Sequence, residues 1–312
     1  MNVLSLFDGM SCGRIALDRL GIPVDKYYAS EIDKFAIQVS EANYPDIIRL
    51  GDVCDVKAED LPKIDLLIAG SPCQGFSFAG KQLAFDDPRS ALFFEFVRLL
   101  KECKPKYFLL ENVRMKKEYL QVISEQVSAC YPEIPFGIEP TMICSSLVSA
   151  QSRKRYYWTN IPNVTQPKQK GIVLRDILET RVNQDRLSDM NTQDDSSHSP
   201  IQVGIAVDVK GFDIQKRVYS LDGKSPTIMA AAGTGGGRVP KIETHDTPKQ
   251  VGNVLTQDEV YWRKLTPLEC ERLQTVPDNY TDHVSNSQRF KMLGNGWTIE
   301  VIKHIFKNME KE

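Results

Sequence analysis

The segment of this 312-residue chain with the most chemical potential is Gly70-Ser71-Pro72-Cys73-Gln74-Gly75-Phe76-Ser77, which directly follows the unbroken apolar run Ile64–Ala69. A run of that kind reads as a strand covered on both faces, so Cys73 falls just past a strand's carboxyl end. Pro72 fixes one backbone angle beside the thiol, and Gly75 and Gly80 leave the following loop free to move. A thiol in such a loop is a candidate nucleophile. The usual fate of a cysteine is a buried, inert side chain, but the loop setting works against it here. A free thiol titrates near about 8.5, so nearby cations would help to form the thiolate. Gln151-Ser152-Arg153-Lys154-Arg155-Tyr156-Tyr157-Trp158 is a compact basic and aromatic cluster that could provide them through Arg153 and Arg155. Glu111 closes the apolar run Tyr107–Leu110 and offers a carboxyl group for proton chemistry. Taken singly, Glu111 and the two arginines read better as solvated or structural ion-pair partners.

A second constellation opens the chain. Phe7-Asp8-Gly9-Met10-Ser11-Cys12-Gly13 reads as a strand-to-helix turn, in which Gly9 permits close ligand approach and the helix start offers unpaired amides. Glu31 follows at the spacing, roughly twenty residues, at which an acid grips ribose hydroxyls. Gly51-Asp52-Val53 could bring Asp52 to an adenine amino group. Together they favour an adenosine-containing cofactor without separating a methyl donor from a dinucleotide. By contrast, Gly223-Lys224-Ser225 lacks the upstream glycine of a phosphate loop, because position 218 is Val218, and reads as a surface turn.

The elements that would carry these residues follow a βαβ rhythm with a mostly parallel sheet. Strands are predicted at Asn2–Phe7, Lys26–Ser30, Ile64–Ala69 and Tyr107–Leu110. A helix is predicted over Arg14–Leu20, stopped by Gly21 and Pro23. A longer one starts at Asp87-Pro88 and runs through Leu100. Each strand delivers a polar or glycine-rich segment at its carboxyl end, where open α/β sheets bind ligands. Gln166–Val260 has weak periodicity and a Gly233–Gly237 stretch, and reads as a separate, loop-rich, partly β unit. Thr266-Pro267-Leu268-Glu269 is a capping box, and a last helix is predicted over Thr298–Asn308.

Composition sets wide bounds. Apolar and charged fractions of 41% and 26% suit a soluble globular chain, and no apolar run nears the roughly 20 residues of a membrane span. Seven scattered cysteines and four histidines argue for free thiols and against a zinc site. The net charge of −2 counts mildly against nucleic acid as a partner. With no basic leader in the first residues, a cytoplasmic location is expected.

In sequence order and spacing, Pro72-Cys73-Gln74, Glu111-Asn112-Val113, Gln151-x-Arg153-x-Arg155 and Gly294-Asn295-Gly296, behind the Phe7–Gly13 turn, resemble the cytosine-C5 DNA methyltransferases. The similarity covers nearly the whole chain except Gln166–Val260. The first half, with Phe7-Asp8-Gly9 and Tyr28-Ala29-Ser30-Glu31, is also similar to the animal de novo DNA methyltransferases, without a further chromatin-reading domain.

The resemblance implies a Rossmann-like, S-adenosylmethionine-dependent α/β sheet with a smaller, loop-rich target-recognition domain. Residues 1–165 would be catalytic and cofactor-binding, 166–284 target-recognising, and 285–312 a return to the catalytic domain. Cys73 would add to C6 of a flipped cytosine, with Glu111, Arg153 and Arg155 completing the catalytic set. S-adenosylmethionine, leaving as S-adenosylhomocysteine, would be held by Phe7, Asp8, Gly9, Met10, Cys12, Gly13, Glu31, Ile32, Asp52, Val53, Pro72, Leu92, Asn295 and Trp297, with no metal. Gln74, Ser77, Ala79, Arg153, Thr227 and Ile228 would meet double-stranded DNA. Thr227 and Ile228 match the family's Thr-aliphatic signature in the recognition unit. A monomer is expected, with no membrane partner and a cognate restriction endonuclease, if one exists, acting independently.

Three departures stand out. Ser11 and Cys12 replace the consecutive glycines of many bacterial relatives, Ala79 replaces a small polar residue, and Trp297 replaces smaller residues. Three rival readings remain. A tRNA cytosine methyltransferase would usually carry a Cys-Phe-Thr stretch in the variable unit, where this chain has no cysteine. A catalytically silent DNA-binding homologue would not need Cys73, Glu111 and both arginines. A Rossmann-like oxidoreductase would leave the ordered motifs unexplained.

Overall fold

The computed structural model describes residues 1–71, 88–179, 199–206, 209, 211–233, 238–244, 252–253 and 261–310. By internal contacts the chain divides into two units, the first made of Met1–Ile143, Lys154–Gln166 and Val301–Glu312, the second of Cys144–Arg153 and Pro167–Glu300.

The first unit holds β1 (Asn2–Leu6), α1 (Cys12–Leu20), β2 (Lys26–Ser30), α2 (Lys34–Asn43), β3 (Ile48–Gly51), β4 (Leu66–Ala69), α3 (Pro88–Cys103), β5 (Tyr107–Val113), α4 (Lys117–Cys130), β6 (Thr141–Cys144) and β7 (Lys154–Thr159). These strands form a seven-stranded sheet in the order β3-β2-β1-β4-β5-β7-β6. β1 to β5 pair in parallel and β7 runs antiparallel to β5. From β1 the chain winds outward through β2 and β3, then returns to lay β4 on the other side of β1. The switch point therefore lies between the carboxyl ends of β1 and β4, where open α/β sheets form their ligand crevice. Both candidate chemical segments leave the sheet there.

Burial explains the order. All four residues of β4 are fully buried, as a central parallel strand covered by helices requires. Phe93, Phe96 and Phe108 pack with Leu4, Leu67 and Trp158 in one core, and the buried Trp158 indole N–H is satisfied by Ser124 Oγ at 3.0 Å. α1 lies close to the sheet because Gly13 has no side chain, and a Cβ there would sit 2.1 Å from Ile68 Cδ1.

The second unit contains β8 (Gln202–Ile205), α5 (Asp213–Lys216), β9 (Arg217–Tyr219), β10 (Lys241–Thr244), β11 (Gly252–Asn253), β12 (Tyr261–Lys264), α6 (Pro267–Leu273) and α7 (Asn286–Asn295), after which comes α8 (Ile299–Phe306). Its sheet runs β11-β12-β10-β9-β8. The capping box forms as expected. Thr266 Oγ1 accepts from Glu269 N at 3.1 Å, and Glu269 Oε2 accepts from Thr266 N at 2.9 Å.

Three expectations need correction. Glu111 lies inside β5 instead of after it, because pairing with β7 carries the strand on to Val113. The helix expected to end at Leu100 reaches Cys103, and its expected N-cap, Asp87, lies outside the described residues. Gly223-Lys224-Ser225 is not a surface turn. Lys224 and Ser225 are fully buried, and the Lys224 ammonium donates to the carbonyls of Ser149 and Ile172.

Candidate active site and cofactor turn

In the first unit, five segments reach the carboxyl edge of the parallel strands. After β1, Phe7 and Gly9 both take positive φ, 57° and 59°, folding the chain back before α1. After β2 comes Glu31, whose carboxylate is already oriented. Its Oε2 accepts from Gly9 N at 2.8 Å, and its Oε1 accepts from Ile32 N and Asp33 N at 2.8 Å each. The glycine turn and the acid predicted to grip a ribose are thus joined by a hydrogen bond. Among the described residues a Cβ at Gly9 would meet nothing within 4 Å, so none of them closes off the turn on that side. Ile32, 73% exposed, and Asp52, also exposed, complete the rim. Asp52 caps a short helical turn by accepting from Cys54 N at 2.9 Å.

The other predicted cofactor residues of this unit sit deeper. Asp8, Met10, Cys12, Gly13 and Val53 are buried, and Leu92 packs partly buried on the core. The Asp8 carboxylate is turned inward, accepting from Ser5 Oγ at 2.6 Å, Tyr27 OH at 2.9 Å and Ser11 Oγ at 2.5 Å. Burial pushes its pKa up, against those hydrogen bonds and the charge of Arg49. Asp8 therefore braces the turn from below.

After β4, Ser71 is buried, and its Oγ lies 3.3 Å from Asn112 Nδ2, which donates to it. Asn112 Oδ1 accepts from Val113 N at 2.8 Å, which orients the amide. The residue two positions before Cys73 is thereby tied to the end of β5. Pro72, Cys73, Gln74, Ser77 and Ala79 lie outside the described residues.

Glu111, 7% exposed, projects from β5 on the same face as Arg155 of β7, its diagonal neighbour, and Arg155 Nε lies 2.9 Å from Glu111 Oε1. That N–H is not aimed along a hydrogen bond, so the contact is an ion pair held by charge. The pair provides a carboxylate with a cation at the sheet's chemical edge.

The second unit places the other arginine differently. Arg153 is buried, with Nη1 donating to Ile228 O at 3.0 Å and Nη2 to Gly294 O at 3.1 Å and Gly296 O at 3.0 Å. Its guanidinium clamps three backbone carbonyls. Gln151 extends the clamp, accepting from Ile228 N at 2.9 Å and donating to Gln274 Oε1 at 3.2 Å. Gln274 Nε2 donates to Leu293 O at 2.6 Å and Thr298 Oγ1 donates to Gln274 Oε1 at 2.8 Å. Sequence reasoning missed Gln274. Its position one residue past α6 carries no local signal for this role, since the partners of its side chain are all distant in sequence.

Thr227 is partly exposed and donates to Ser152 O at 2.7 Å, whereas the Ile228 side chain is fully buried, so only Thr227 presents a side chain outward from that dipeptide. Asn295 is exposed at the end of α7, and Trp297 is largely buried. Among the described residues no three His, Cys, Asp or Glu side chains cluster as a metal site would. No helix there is long and apolar enough to cross a membrane.

Comparison with known proteins decides between the chemistries such a site could serve. The profile of the C-5 cytosine-specific DNA methylases matches residues 1–311. The chain belongs to that family. It is 31% identical to the type II methyltransferase M.HhaI of Haemophilus parahaemolyticus, over 99% of this chain and 94% of that protein. It is 30% identical to the type II methyltransferase M1.ScrFI of Lactococcus lactis subsp. cremoris, over 98% and 77%. Among solved structures, Entamoeba histolytica methyltransferase EhMeth superposes with a TM-score of 0.71 at 17% identity, covering 99% of each chain. S. pombe Dnmt2 does so with 0.69 at 18%, covering 98% and 97%. At those identities the structural likeness speaks to fold, the mixed α/β architecture with a large parallel sheet. The protein is a DNA (cytosine-5) methyltransferase.

Proposed function

We propose that this methyltransferase works through Cys73 as nucleophile, with Glu111 and Arg155 at the reacting base and S-adenosylmethionine in the Phe7–Gly13 turn. The observation that carries the reading is the convergence at one sheet edge of the Glu111–Arg155 pair and the Asn112–Ser71 tie, the latter two residues from Cys73.

The chemistry assigns work to each group. The Cys73 thiolate would add to C6 of cytosine, making C5 an enamine-like carbon able to attack an electrophilic methyl group. Glu111, placed against N3 and the exocyclic amine, would hydrogen-bond the ring and stabilise the charge that appears on it. Arg155 would keep that carboxylate oriented. Loss of the C5 proton then expels Cys73. The target base must first leave the helical stack, at a cost on the order of a few kcal/mol.

The cofactor fits the turn. S-adenosylmethionine, when bound, supplies an electrophilic methyl group on a sulfonium. Among the described residues Glu31 Oε2 accepts a single hydrogen bond, and it keeps acceptor capacity for a ribose hydroxyl. Gly9 stays clear of the other described residues on its Cβ side, Ile32 offers an exposed apolar surface and Asp52 an exposed carboxylate. The roles of Asn295, Trp297 and the buried side chains Met10, Cys12 and Val53 belong to the same proposal.

Target reading is assigned to the loop-rich unit, within 166–284, with Thr227 as its candidate contact, in double-stranded DNA. The type II names of its relatives fit a role in restriction-modification, with any endonuclease acting separately. Activity on tRNA, the rival that shares this chemistry, is the reading to exclude.

A duplex bearing 5-fluorocytosine tests the proposal, because fluorine cannot leave as the C5 proton does. With S-adenosylmethionine the wild type should form a covalent adduct on mixed-sequence DNA, and Cys73→Ser should form none while still binding S-adenosylhomocysteine. An adduct on tRNA but none on DNA would overturn the DNA reading, and an adduct retained by Cys73→Ser would overturn the assigned nucleophile.

A further inference from the structure

We infer that Arg49 and Ser40 are positioning residues for the cofactor turn, acting through a directed hydrogen-bond chain that ends on Asp8. The inference rests on the reading of Phe7–Gly13 as the cofactor turn and adds the device that holds it.

The chain can be followed proton by proton. Ser11 Oγ donates to Asp8 Oδ2 at 2.5 Å, and this uses the one proton of that hydroxyl. The close contact between Ser11 Oγ and Ser40 Oγ must then be donated by Ser40. Ser40 in turn accepts from Arg49 Nη2 at 2.5 Å. Every donor therefore points the same way, from a guanidinium to a carboxylate, and such bonds reinforce one another. Arg49 Nη1 also lies 3.6 Å from Asp8 Oδ2, close enough to act by charge. Nε and Nη1 of Arg49 find no hydrogen-bond partner among the described residues, so Ser40 and Asp8 are what hold the guanidinium.

This arrangement answers a conformational need. Phe7 and Ser11, neither of them glycine, both lie in the left-handed region at φ 57° and 65°, on either side of Gly9. Such backbone persists only where its surroundings over-determine it. Ser11 Oγ makes no helix cap, because its bonds go to Asp8 and Ser40 instead. The Ser11 hydroxyl is thereby a link in the brace. β3 supplies Arg49, α2 supplies Ser40, and β1 and β2 add Ser5 and Tyr27 on the other oxygen of Asp8.

Through the turn the brace reaches the ligand surface. Asp8 immediately precedes Gly9, whose N–H donates to Glu31 Oε2. If the brace is cut, the Asp8–Gly9 peptide can rotate and Glu31 loses the amide that aims it. The consequence falls on cofactor affinity, not on the base chemistry at β5.

The test compares Arg49→Met, Arg49→Lys, Ser40→Ala and Glu31→Ala by calorimetric titration of S-adenosylhomocysteine and by steady-state kinetics on DNA. Arg49→Met and Ser40→Ala should weaken S-adenosylhomocysteine binding and raise KM for the methyl donor by about tenfold, the equivalent of one charge-assisted hydrogen bond. kcat at saturating donor and KM for DNA should stay within about twofold. Arg49→Lys, which keeps the charge, should recover part of the affinity. Ser40→Ala removes a single hydroxyl and keeps the test open if Arg49→Met does not fold. Wild-type affinity in both brace variants, with binding lost in Glu31→Ala, would overturn the inference and leave the cofactor reading standing. Wild-type affinity in Glu31→Ala would overturn both. Equal losses in kcat, KM for DNA and donor affinity would reduce Arg49 to a fold determinant and also overturn the inference.

Discussion

Arg155 Nε lies 2.9 Å from Glu111 Oε1 across the antiparallel β5–β7 pair. The carboxylate is largely buried, so the arginine both offsets its desolvation and fixes its direction. Glu111→Gln should keep the fold, because the amide is of equal size, yet lower the single-turnover rate by about 10²–10⁴, the range for losing a group that carries proton transfer. A rate within about twofold of wild type at saturating DNA and donor would remove Glu111 from the chemistry.

Arg153 and Arg155 should separate cleanly by readout. Arg153 holds three carbonyls from inside the second unit, and its replacement by leucine strands those acceptors. The loss should be on the order of 1–3 kcal/mol of stability for each carbonyl left without its donor. Hydrogen exchange should localise it near 228 and 294–296. Arg155→Leu should leave exchange near 228 and 294–296 unchanged and cost more activity. Equal melting temperatures for Arg153→Leu and wild type would contradict the clamp.

Lys224 predicts a pH signature. Burial pushes its pKa down to about 8 from the usual 10.5, so the folded state gives up its proton before the unfolded state does. Between those values the unfolded chain binds more protons, and stability should rise with pH, by at most about 1.4 kcal/mol per unit. Below about 8 both states are protonated and the dependence disappears. Lys224→Met should abolish the rise. Parallel stability curves for the two proteins between pH 8 and 10 would refute the assignment.

At the start of α6, Thr266→Ala should cost about 1 kcal/mol, as N-cap losses do. Glu269→Ala should cost several times more. Glu269 is fully buried and also receives two bonds from Arg263, at 2.7 Å each, so its loss removes that carboxylate from the guanidinium as well as from the cap. Similar midpoints for the two variants in urea would contradict this ranking.

What the sequence made readable was local. β2 runs over the predicted Lys26–Ser30, Gly21 is the left-handed C-cap of α1 at φ 63°, and Thr266–Glu269 forms its capping box. Each rests on neighbours within a few positions. α2 carries Asp33 as an N-cap, but only Ala36, Val39 and Ser40 are buried along it, too thin a stripe to stand out. Lys224 looked like a turn residue because its neighbours are glycine and serine. Its burial depends on carbonyls at 149 and 172, which no local pattern encodes. The two arginines of one motif likewise take different duties because their partners, Glu111 and the 228 and 294–296 carbonyls, lie far apart in sequence.

The antiparallel course of β7 has a temporal consequence. Its first residues deliver Arg155 beside an acid made 44 positions earlier, after α4 and β6 have been threaded between them. A chain emerging from the ribosome carries Glu111 without its guanidinium until the seventh strand docks, a long-range closure that comes slowly. A polypeptide cut anywhere between Val113 and Lys154 should stay silent until its two fragments are mixed and reassemble.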